Sequence, residues 1–120
     1  MRQILSFSLL IGLIIVFLSG CENDEKPPKG TLSEEKMATI LSEIHIAESR
    51  VTRLQLKSLD SSLLIFGRLK DGIWKKHKVD TLAYHNSYDY YMLHPKQMSK
   101  IYENVQKKIE AREKQKNIKL

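Results

Sequence analysis

His45, Glu48 and Ser49 lie three and four residues apart, and His85 and Asp89 are likewise four apart. On a helix such offsets put side chains on one face, and two such pairs brought together could hold zinc or another divalent cation. Neither pair carries the HExxH pattern of a helical zinc protease. Helical histidines and acids also pair readily with each other or with water, so no metal ligands and no cofactor are expected. For nucleophilic catalysis Ser87 could use His85 or His94, but no strand-to-helix nucleophile elbow surrounds it. Asp80 and Asp89 read as a helix cap and a surface acid, not as glycosidase carboxylates, which need an enclosed cleft between them. The expectation is a protein that is not an enzyme and works by contact.

Contact has its own candidate residues. Five tyrosines fall between residues 84 and 102. Tyr84, Tyr88 and Tyr91 share a helical face and read as core whose hydroxyls reach the rim. Tyr90 points off that stripe and is expected to be exposed, where a rigid ring with a polar tip suits a protein or glycan partner. The basic run Lys75-Lys76-His77-Lys78, with Arg68 and Lys70 nearby, reads as a solvated face that could also touch anionic head groups or lipopolysaccharide phosphates. Tyr90, Lys75, Lys76 and Lys78 together form the expected partner surface.

The one cysteine of this 120-residue chain excludes an internal disulfide and a four-cysteine zinc site. Its position is informative. Met1 and Arg2 precede a run from Ile4 to Leu18 broken only by Ser6, Ser8 and Gly12, which reads as the core of a signal peptide. A permanent span needs roughly 20 apolar residues, more than this run supplies. Leu18-Ser19-Gly20-Cys21 resembles the lipobox of bacterial lipoproteins, in which the peptide is cut before the cysteine, here between Gly20 and Cys21, and the thiol is acylated. Two or three acyl chains make such anchoring stable. Cleavage would leave 100 residues and lower the net charge from +6 to +5 by removing Arg2. Glu22-Asn23-Asp24-Glu25 resembles the acidic export signal that sends lipoproteins to the outer face of the outer membrane; a plain spacer with a periplasm-facing body is the other reading. Secretion removes nucleic acid as a partner for the basic surface.

Residues 1–20 are therefore expected to be a signal peptide and residues 21–30 a lipidated cysteine with a disordered tether, because ENDEKPPKG holds two prolines, a glycine and five charges. The folded body is expected over 31–113 and a frayed tail over 114–120. Thr31 with Glu34 fits a capping box, with Ser33 competing. Met37, Ile40, Leu41, Ile44, Ala47, Val51 and Leu54 recur at helical spacing, predicting a first helix over about 33–55. Acids in its first turn and arginines in its last match the helix dipole. Residues 59–79 read as a helix with Leu59, Ser62, Phe66, Leu69 and Ile73 on one side; a hairpin turning at Asp71-Gly72 is the alternative. Gly67 and Gly72 each cost a helix near 1 kcal/mol, which makes this the least stable element. Asp80 caps a third helix running to about Met92. Pro95 opens a fourth, with Met98, Ile101, Tyr102, Val105 and Ile109 on its buried stripe. Each amphipathic face needs another helix to cover it, so the fold class is all-α, a small bundle of three to four helices.

Met37-x-x-Ile40-Leu41-x-Glu43-Ile44-His45-x-Ala47-Glu48, then Ser87-x-x-Tyr90-Tyr91 and Pro95-x-x-Met98-x-x-Ile101-Tyr102-x-x-Val105, resemble a short lipoprotein domain of unknown function typical of the Bacteroidetes. The resemblance covers about residues 27–110. It implies an all-helical, envelope-anchored protein and no established activity. Gly67 and Gly72 depart from that family's texture, where helix formers are usual. The expected role is that of a lipid-anchored envelope module acting as an interaction or accessory component, with a membrane partner through its lipid; a small-ligand or metal binder is the alternative, and a small enzyme comes third.

Overall fold

The computed structural model describes residues 26–118. The expected leader, the cut between Gly20 and Cys21, the lipid on Cys21 and the acidic stretch at 22–25 lie outside the described residues. Four helices follow one another: α1 (Glu34–Arg53), α2 (Leu59–His77), α3 (Thr81–Met92) and α4 (Pro95–Ile118). Among the described residues there is no strand, so the chain is an all-α bundle and the hairpin alternative for residues 59–79 is excluded.

The cap of α1 is Ser33, not Thr31: its Oγ accepts from the Lys36 N–H at 3.1 Å. Just ahead, the Thr31 N–H donates to the Pro28 carbonyl at 3.1 Å, and Gly30 takes φ +92°. A glycine at the third position of such a turn permits that left-handed backbone. This turn closes the last residues of the expected tether, Pro28 to Gly30, directly before α1. Ser58 caps α2 in the same way, accepting from the Ser61 N–H at 3.1 Å, and Lys78 ends it at φ 52°. Asp80 does stand at the start of α3, but its side chain makes no capping bond; the helix begins instead with the Tyr84 N–H on the Asp80 carbonyl at 3.0 Å. Helix α4 opens at Pro95 as expected and runs to Ile118, through most of the stretch expected to fray. Residues 113–116, Glu-Lys-Gln-Lys, are good helix formers, which accounts for the extension.

The core joins Met37, Ala38, Ile40, Leu41 and Ala47 of α1 to Ile73 of α2, Tyr84 and Tyr91 of α3, and Met98, Ile101 and Val105 of α4. Helix α1 is central, packed mainly on α4 and α2. Three stripe members fall outside. Leu54 follows the last turn of α1 and Leu59 opens α2, so both belong to the connection and are exposed. Tyr102, expected on the buried stripe, is 40% exposed. One residue beyond Ile101, it is turned by about 100° from the stripe, and its hydroxyl instead meets that of Tyr88 at 3.5 Å. No described helix is long and apolar enough to cross a membrane.

Candidate functional site

The chain enters the bundle through a clamp. Ser87 is completely buried, its Oγ accepting from the Leu32 N–H at 2.8 Å while donating to the Ala83 carbonyl at 2.6 Å. Four residues on, the Tyr91 hydroxyl donates to the Leu32 carbonyl at 2.8 Å. Leu32 precedes the first turn of α1 and has no helical partners of its own, so α3 supplies both bonds its peptide groups require. Burial pushes the Tyr91 phenol upward in pKa, with Glu34 and Tyr90 adding to the shift, so it stays a proton donor. The Ser87 to Tyr91 spacing was visible in the sequence, but its distant partner at Leu32 was not.

The expected partner surface divides. Lys75 and Lys78 are exposed. Lys76 is engaged, its Nζ bonding Glu43 Oε1 of α1 at 2.6 Å. His77 Nε2 stands 3.2 Å from the same oxygen. Burial raises the Glu43 pKa, but the Lys76 ammonium and the His77 ring more than offset it, leaving the carboxyl below its ordinary value. On the same seam Lys36 Nζ donates to the His77 carbonyl at 3.1 Å. Tyr90, expected to be exposed, is half-buried. The turn into α4 brings His94 back beneath it, with the rings stacked at 4.0 Å and His94 Nδ1 donating to the Tyr90 carbonyl at 2.6 Å. The Tyr90 and Tyr91 rings form a T-shaped pair with centroids 5.2 Å apart.

The two histidine pairs stay apart. His45 Nδ1 lies 3.6 Å from Glu48 Oε2, and His85 stands edge-on to Tyr84 at 5.4 Å. Among the described residues no three His, Cys, Asp or Glu side chains gather where a metal ion could sit.

What the sequence did not reveal is a cleft of about 420 Å³ between the later turns of α1 and α4. From α1 it is lined by His45, Ile46, Ser49, Arg50 and Arg53, and from α4 by Ile109, Arg112, Glu113 and Lys116. A smaller cavity of about 120 Å³ adjoins it, sharing Ile46, Arg50 and Arg112 and reaching Ile73 and Gly72 of α2. The signal lay in two places: Arg50 and Arg53 at a spacing of three, Arg112 and Lys116 at a spacing of four. Arg50 and Arg53 read as dipole compensation at the end of α1 and Lys116 at the end of α4, and only the packing of α1 on α4 makes them and Arg112 one surface.

The family model for a domain of unknown function, DUF4296, matches residues 28–115. The chain belongs to that family. The matched span of the DUF4296 domain opens at the turn before α1 and takes in the clamp, all of α1 to α3 and most of α4. No curated protein and no solved structure matches the chain.

Proposed function

We propose that this DUF4296 protein is a lipid-anchored component of the cell envelope, held at the outer membrane through an acylated Cys21, facing either the periplasm or the surface. Its helical body acts by contact, as a non-catalytic interaction or accessory module. The observation that carries the reading is the clamp on Leu32. The chain that would lead from Cys21 meets two bonds from α3 to one residue's backbone, so the body is fastened at the point where an anchor would pull on it. Lys75 and Lys78 are exposed and Tyr90 is half-buried, which supports a protein or glycan contact made chiefly by the two lysines.

Metabolic labelling with an alkyne fatty acid in the native host, followed by mass determination of the purified chain, tests the anchor. The expected result is label on the parent, none on Cys21→Ser, and a mature chain that starts at residue 21. A chain beginning at Met1 with a free thiol overturns the proposal. The alternative role, a small-ligand binder, is favoured by one observation, the cleft between α1 and α4.

A further inference from the structure

That cleft carries an inference independent of the anchor, since it uses residues of the folded body alone. Elsewhere the bundle matches cations to carboxylates where helices meet: Lys76 with Glu43 at 2.6 Å and Lys108 with Glu35 at 2.5 Å. Around the cleft it does not. Arg50 and Arg53 face it from α1, and Arg112 and Lys116 from α4, with Glu113 the single acid on its wall. Among the described residues none of the four cations has an ion-pair partner. Dipole compensation explains why each helix ends in basic residues, but not why the two basic ends share one groove, where like charges repel.

We propose that the cleft binds a phosphate-class oxyanion. Four cations against one carboxylate leave an excess of about three positive charges, assigned at neutral pH. A carboxylate would cancel only one of these, whereas a phosphate ester carries up to two charges and enough oxygens to reach both helices. The three guanidiniums offer the planar forks that suit such oxygens. Ile46 and Ile109 supply an apolar wall, which lowers the local dielectric and strengthens each contact. A volume of about 420 Å³ falls in the range of small-molecule sites, so there is room for the group that the phosphate is attached to. That group can be soluble or can be a lipid whose headgroup enters the cleft.

The test uses the full-length chain, isotope-labelled, in nonionic detergent micelles and in nanodiscs. In micelles, inorganic pyrophosphate is expected to shift the Arg50 and Arg112 side-chain N–H signals saturably, and Arg50→Gln with Arg112→Gln to weaken this by roughly tenfold or more. Lys29→Gln with Lys100→Gln removes as much charge at exposed positions that do not line the cleft and is expected to leave the titration unchanged. In nanodiscs without added anion, a shift on replacing phosphatidylcholine by phosphatidic acid assigns the lipid source; a response confined to pyrophosphate assigns the soluble one. Three results overturn the proposal: no saturable shift in either setting, equal shifts from chloride at matched ionic strength, or an arginine double variant that titrates like the parent.

Discussion

The two halves of α1 live in different environments. In its first half Met37, Ala38, Ile40 and Leu41 are sealed against neighbouring helices, and Met37 and Ile40 have no exposed surface at all. Past Ala47 the same helix is largely wet: Glu48, Ser49, Arg50, Thr52 and Arg53 are exposed, and the nearby start of α2 leaves Leu59 and Leu63 at 73% and 58% exposure. The contrast separates stability from surface chemistry along one element. The sealed half fixes the clamp and the core, and the open half presents cations to a cleft. Truncation should therefore have very different costs at the two ends. Ile40→Ala or Ile101→Ala is expected to cost about 2–5 kcal/mol, and Leu63→Ala no more than about 0.5 kcal/mol. Denaturant unfolding of the three variants checks this, and similar midpoints for Ile40→Ala and Leu63→Ala would break the comparison.

The next effect concerns the clamp, which closes the sealed end. Ser87→Ala removes the acceptor of the Leu32 N–H and leaves a partly buried donor unmatched, at roughly 1–3 kcal/mol; Tyr91→Phe removes one neutral hydrogen bond, at about 1 kcal/mol. The two bonds meet on one residue, so the double variant is expected to cost less than the two single costs combined. Hydrogen exchange sharpens the point. Both variants should raise exchange at Leu32 and in the first turn of α1, with little change at the start of α2, because local opening follows local contacts. Uniform acceleration through the whole bundle would mean that the two ends are a single cooperative unit.

Much of this division is legible in the sequence. The stripe Met37, Ile40, Leu41, Ala47 has helical spacing, Pro95 marks a helix start, and Lys75-Lys76-His77-Lys78 breaks the alternation a strand would need; each is a local property of neighbouring residues. The failures involve distant partners. Tyr90 looked exposed because it leaves the stripe of α3, but the following turn returns His94 to its face. Thr31 and Ser33 both offered a cap, and the choice depended on the turn that Gly30 closes. The stripe on α4 extended to Tyr102 on the sequence, yet its neighbour Ile101 takes the buried position. The cleft was illegible for the same reason. Arg50 and Arg112 are 62 positions apart, and nothing in either stretch records that α1 and α4 lie side by side.

The smallest effect acts on α2, which joins the two environments. It begins among exposed leucines and ends on the sealed side at Ile73. Gly67 and Gly72 stand within it at ordinary helical backbone, and nothing lies within 4 Å of where a Cβ would project. An added methyl therefore meets no obstacle, while the unfolded chain loses freedom that glycine alone gives it. Gly67→Ala and Gly72→Ala are each expected to raise stability by about 0.5–1 kcal/mol, and to add when combined if the five-residue separation keeps them independent. Gly30→Ala provides the opposite sign: it too meets nothing within 4 Å, but its φ of +92° is unfavourable for any L side chain. Thermal melts of the three variants separate backbone from packing. Two rises and one fall follow if conformational freedom decides, whereas a fall at Gly72, which borders the smaller cavity beside Arg50, would show that α2 must move there for the cleft side of the bundle to reach its ground state.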